Sequence, residues 1–202
     1  MKGQESSQGK FLWSAGLIQI VMIGVYWLLV RYNDHAHPFK HHHDQQHEEH
    51  IPFNDVYPLG VDVVMMLLGG FGFLMTFLKK YGLSAIGFTM IITVIVTQFS
   101  IIVFGLLKMG DEFVIKIGFV DVIEAGLVGG AVLISFGAII GKVNPLQLMF
   151  MSLVEATFCV INLYVGYSVL GVVDVGGSIF IHTFGAYFGL AVSFCLRWLR
   201  IS

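Results

Sequence analysis

Ile181-His182-Thr183-Phe184-Gly185-Ala186-Tyr187-Phe188-Gly189-Leu190 sets one histidine inside an apolar run, residues 176–196, that is long enough to cross a bilayer. A hydrocarbon core about 30 Å thick needs roughly 20 residues of helix. An ionisable group inside such a segment is expensive to bury and points to function by default. Composition agrees with a membrane setting. Hydrophobic residues make up 56% of the 202 and charged residues 12%, whereas a soluble domain carries about a quarter charged residues. The net charge of −2 and the lack of basic clusters give no face for a nucleic acid. Cys159 and Cys195 each lie in an apolar run, so neither a disulfide framework nor a paired-cysteine metal site is written here.

Working outward, five more runs are equally long and apolar, giving spans at 11–30, 57–78, 83–107, 113–140, 146–170 and 176–196. Lipid tolerates only helices or closed barrels, and the ten-residue alternation of a barrel strand is missing. The expected fold is therefore all-α: a polytopic membrane bundle of about six transmembrane helices, not of membrane-spanning strands. Its segments are an amino-terminal stretch 1–10, a first helix 11–30, a polar loop 31–56, and five helices within 57–202. The first run is too long, and lacks a small-residue cleavage site, to be a signal peptide.

The loop holds His35, His37, His41, His42, His43, His47 and His50 beside Asp34, Asp44, Glu48 and Glu49. Imidazoles and carboxylates at this density can bind Zn²⁺ or Cu²⁺, or titrate near pH ~6.5. Their spacing matches no defined site, so the reading is a solvated polar loop and no metal or cofactor is assigned. No Asn-x-Ser/Thr acceptor occurs, so N-glycosylation is not expected.

Polar residues inside the spans must face protein or water. At 100° per residue, His182 shares a face with Ser178, Gly185, Ala186, Gly189 and Ser193. Such a stripe of small residues admits either a close helix or a small molecule, and two readings of His182 stay open: a packing histidine with its hydrogen bond satisfied, or a pore group. Asp174 precedes His182 by eight residues and stands just before Val175-Gly176-Gly177-Ser178, where it can cap the sixth helix, attract an incoming cation, or do both. Asp62, Asp121, Glu124 and the set Ser152, Glu155, Cys159 and Asn162 read as interhelical polar contacts. Gly126/Gly130 and Gly137/Gly141 have the spacing of close helix contacts.

Three stretches carry a family resemblance. Gly70-Phe71-Gly72-Phe73-Leu74-Met75-Thr76-Phe77-Leu78 with Tyr81-Gly82-Leu83-Ser84-Ala85, then Phe136-Gly137-Ala138-Ile139-Ile140-Gly141-Lys142-Val143-Asn144-Pro145-Leu146-Gln147-Leu148, then Gly176-Gly177-Ser178 with 181–190, succeed one another as in the Rh branch of the ammonium-transporter family. The chain resembles that branch from about Phe53 to Cys195, and its first span resembles the extra amino-terminal helix of Rh proteins.

The resemblance implies a non-enzymatic pore that passes ammonia after an ammonium ion has been recruited and deprotonated. It makes His182 the first of two facing pore histidines and Asp174 the acidic residue near the outer mouth, and Ser178 and Leu127 are counted with them as pore residues. Leu127 stands where family transporters place a phenylalanine across the pore, beside Gly126 where an aspartate is common. Leu163 stands where some members carry an acidic vestibule residue. Family members have about twelve spans in two inverted halves, so this chain corresponds to the amino-terminal half plus the extra helix, and the face around Ser178, His182 and Gly189 should meet the other half. Implied partners are ammonium or ammonia, the lipid bilayer and further chains in a homo- or hetero-oligomer, a trimer in the family, at the plasma membrane. A non-conducting assembly subunit and metal handling through the histidine-rich loop are the alternatives.

Orientation is set by the cations. With the amino terminus inside, Lys2, Lys10, Lys79, Lys80, Lys142, Arg197 and Arg200 are cytoplasmic, Arg31, Lys40 and Lys108 are outside, and Lys116 is ambiguous. That asymmetry predicts both termini inside and His35 to His50 outside. Epitope tags at both ends and in the loop, stained on intact and on permeabilised cells, check it; a carboxy-terminal tag accessible without permeabilisation contradicts it.

Overall fold

The computed structural model describes residues 2–33, 53–110 and 113–201, and the loop from His35 to His50 lies outside the described residues. Among the described residues, six helices are long and apolar enough to cross a membrane: Gly9–Leu29, Val56–Phe77, Gly82–Lys108, Phe119–Ile139, Pro145–Val169 and Val175–Trp198. They match the expected spans closely except at one end. The fourth begins at Phe119, not near 113, because the residues before it are extended.

Those residues also form a short strand pair beside the helical bundle. Val30–Tyr32 (β1) and Ile115–Ile117 (β2) pair in parallel, with Arg31 opposite Lys116. Asn33 N–H continues the ladder to the Ile117 carbonyl at 2.9 Å. Ile115 is buried against Gly105, where an added Cβ would overlap its Cγ2. The pairing fixes the end of the first span and the start of the fourth on one side of the bundle. It therefore puts Lys116 with Arg31.

The fourth span is the centre. Ala125, Val128, Ala131, Val132, Leu133 and Ile139 are fully buried along it. Its small residues let neighbours approach: a Cβ on Gly126 would lie 3.3 Å from Val63 of the second span, and one on Gly130 would meet Leu67 at 3.7 Å and Ile181 of the sixth at 3.9 Å. The pair Gly126/Gly130 thus makes the expected helix contact. Gly137/Gly141 does not, since the helix ends at Ile139 and Gly141 has φ +74°, turning the chain over the Tyr81 ring. Only glycine takes that angle freely. The fifth span then starts from Asn144, whose side chain accepts from Gln147 N–H at 2.8 Å while the Gln147 side chain accepts from Asn144 N–H.

The first span lies on the periphery, with Trp13 83% exposed. Gln19 Nε2 donates to Gln98 Oε1 and Tyr26 OH donates to the Gln98 carbonyl, both at 2.9 Å, and Met22 is buried between them. At the other end of the third span, Lys108 Nζ reaches Glu124 at 3.0 Å and Asp121 at 3.4 Å. Asp121 also accepts from Gly118 N–H at 2.8 Å, so it both pairs with the lysine and caps the fourth helix.

Candidate functional site

The sixth span enters the membrane through a chain reversal. Gly176 and Gly177 take φ of +73° and +68° in succession, and a Cβ on Gly177 would fall 2.5 Å from Ile181 Cδ1. Glycine is required there for both angle and space. Asp174 stands ahead of the turn, and its Oδ2 accepts from the N–H groups of Ile179 and Phe180, each at 2.9 Å. These are amides that the opening of a helix leaves without carbonyl partners. The capping role expected of Asp174 is thus present, and its carboxylate sits against the positive end of the helix.

From Ser178 to Thr183 the backbone is π-helical, and α-helix resumes at Phe184. Thr183 Oγ1 donates to the Ser178 carbonyl, five residues back, at 2.7 Å, and Ser178 Oγ donates to the Val175 carbonyl at 3.1 Å. A π-turn holds one residue more than an α-turn, which rotates the downstream helix by about 100° against an unbroken one. The single stripe expected of this span is divided by what packs on it. Gly185 and Gly189 are buried, whereas Ser178, His182 and Ala186 are exposed.

The buried side docks on two helices. Phe180 lies edge-on to Tyr167 with ring centroids 5.2 Å apart, and it rests on Gly166, where a Cβ would overlap its ring. Cys159 Sγ approaches the Phe180 carbonyl at 3.9 Å. A Cβ on Gly185 would lie 2.6 Å from the Ala131 carbonyl oxygen, and one on Gly189 would lie 2.9 Å from Ser135 Cα. Neither glycine could carry a side chain without moving the two backbones apart. Between them Ser135 Oγ contacts both Glu155 Oε1 and, at 2.7 Å, the Gly185 carbonyl. Glu155 is fully buried and its Oε2 has no hydrogen-bond partner among the described residues.

The exposed side carries the sequence candidates. Asp174, Ser178 and His182 are strung along the entry to the sixth span, and His182 makes no hydrogen bond or ion pair among the described residues. Around it, Ile179, Tyr187 and Leu190 are exposed and apolar. Leu127, half-buried on the fourth span, packs on the core cluster to which Phe180 and Ile181 belong. Leu163 is buried in that same cluster. Ser135 was not singled out by the sequence: its partners are 20 and 50 residues away, and a lone serine in an apolar helix has no periodicity to betray it.

The model of the Ammonium Transporter Family matches residues 41–198. Ammonium transporter Rh type B of Oryzias latipes is 42% identical over 181 residues, covering 88% of this chain and 39% of that protein. The proteins of the same name from Xenopus tropicalis and Sus scrofa are each 43% identical, over 182 and 177 residues, with the same coverage. The chain therefore spans about two fifths of the length of the curated relatives it matches.

The cap generates a stability prediction. Asp174→Ala removes the acceptor for two amides and should lower stability by about 1 kcal/mol, whereas Asp174→Asn, which keeps an acceptor oxygen, should lose less. Thermal melts in detergent, with hydrogen exchange at Ile179 and Phe180, measure this; equal losses in both variants would show that charge, not hydrogen bonding, is what the turn requires.

Proposed function

Since the chain belongs to the ammonium transporter family, we propose that it forms one wall of a transmembrane path for ammonium or ammonia, with His182 and Asp174 on that path. The observation that carries this reading is His182 itself: an imidazole within a helix long and apolar enough to cross a membrane, exposed on the side of the sixth span that the core does not cover, between buried Ile181 and buried Gly185. A charge there costs several kcal/mol, on the order of +2.5–3.5 on insertion scales. Neutral ammonia needs only a donor and an acceptor, and imidazole offers both. Asp174 stands about two turns earlier, where a cation arriving from water meets a negative group before it meets the apolar stretch. The path needs a facing wall, supplied by another segment or another chain.

Physical grounds assign different work to the remaining candidates. Ser178 gives its proton to Val175, leaving its oxygen lone pairs for a ligand, and Leu127 in place of an aromatic ring presents a smaller apolar surface to the path. The same reading makes the protein a transporter with no enzymatic step. It also locates the protein in the plasma membrane and in an oligomer, a trimer by family resemblance.

A chimera tests it. Residues 1–202 joined to the portion of the Oryzias latipes relative that lies beyond its matched stretch should take up methylammonium, and His182→Ala should cut that uptake roughly tenfold, the scale of a lost interaction of about 1.4 kcal/mol. Surface expression should be unchanged, since insertion depends on apolar length and flanking charge. Uptake that is indifferent to His182→Ala contradicts the assignment, and loss of expression instead of uptake makes His182 a folding residue.

A further inference from the structure

Ser135 brings three helices to one oxygen. Its hydroxyl carries a single proton, and two groups contact it: the Gly185 carbonyl at 2.7 Å and Glu155 Oε1. A carbonyl oxygen can only accept. An O···O approach of 2.7 Å without a proton between the atoms would be repulsive, so the serine proton belongs to the contact with Gly185. The contact with Glu155 then requires a proton from the other side.

The surroundings of Glu155 agree. Its residue is 0% exposed, and it forms no ion pair among the described residues. Along its own helix, Ser152 gives its proton to the Leu148 carbonyl at 2.7 Å, and Cys159 faces the Phe180 carbonyl at 3.9 Å. The cation Lys108 is taken by Asp121 and Glu124 on the fourth span. A buried carboxylate with no cation and no donor is far costlier than a buried acid that donates.

We propose that Glu155 is a neutral carboxylic acid that donates to Ser135, which donates to the Gly185 carbonyl, so that one ordered chain of two hydrogen bonds locks the fifth, fourth and sixth spans together. Gly185 lies three residues beyond His182, and the chain ends on the first α-helical turn after the π-helical segment. Glu155 is thus a positioning residue: it sets where the sixth helix resumes its α register, and through that which way His182 faces. The assignment concerns the fold of this chain and does not depend on transport.

Infrared spectroscopy of the full chain, ¹³C-labelled at glutamate and reconstituted in lipid bilayers, reads the proton directly. The expected result is a carboxylic-acid C=O band that shifts with the label, persists at pH well above the ~4.3 of a free glutamic acid, and is missing from Glu155→Gln. Because the glutamine amide can still donate to Ser135, that variant should fold and keep the amide of Gly189, at the Ser135 contact, protected from hydrogen exchange within roughly threefold of the wild type. The absence of a label-sensitive acid band above that pH, or its survival in Glu155→Gln, overturns the proposal. So does a Glu155→Gln chain that fails to fold, since a neutral donor would then be insufficient.

Discussion

Gly185 and Gly189 bring the backbone of the sixth span against the fourth so closely that added Cβ atoms would fall within 2.6 Å of the Ala131 carbonyl oxygen and 2.9 Å of Ser135 Cα. In lipid, helices gain no hydrophobic driving force from meeting one another, so contacts of this kind and the polar groups between them hold the bundle. The same approach makes room for the Ser135 contact with the Gly185 carbonyl and brings Glu155 into the set. A bulkier residue at either glycine would move the helix, and His182 with it.

Irregular helix concentrates around that contact. The second, fifth and sixth spans each contain a π-helical stretch, at Met65–Phe71, Val165–Val169 and Ser178–Thr183. Leu67 from the first and Ile181 from the third both lie against Gly130, and Phe180 covers Gly166 of the second. Such turns leave backbone groups imperfectly paired, which is tolerated in a membrane where neighbours or side chains satisfy them. Thr183 and Asp174 do so here, at the two ends of the sixth-span irregularity. The result is a histidine presented outward from a helix whose next turn is bolted inward.

Much of this architecture was legible in the sequence. Six spans could be placed from apolar length alone, because the bilayer sets that length and little else satisfies a backbone in lipid. The cap by Asp174 could be read from an acid placed before a glycine pair and an apolar run. The division of the small-residue stripe could not, since which part of it is covered depends on the fourth span, about 50 residues earlier, packing on Gly185 and Gly189. The β1–β2 pairing was hidden because two three-residue strands, Val30–Tyr32 and Ile115–Ile117, are too short to show an alternation and lie 85 residues apart at the edges of apolar runs. Ser135 was hidden by distance along the chain, and Gly141 by resembling half of a contact motif. The family resemblance drew attention to His182, while its exposure and the reason for it came from the fold.

Cysteine accessibility along the sixth span is the most direct measurement. In bilayers, with Cys159 changed to alanine and Cys195 to serine, single cysteines at Phe180, Ile181, His182 and Ala186 can be reacted with a small membrane-permeant thiol reagent. A sixth span docked through Phe180, Gly185 and Gly189 gives rapid modification at positions 182 and 186 and protection at 180 and 181. Rapid modification at 180 and 181 with protection at 182 would mean that the helix is rotated, and that His182 belongs to the packed interior and not to a path.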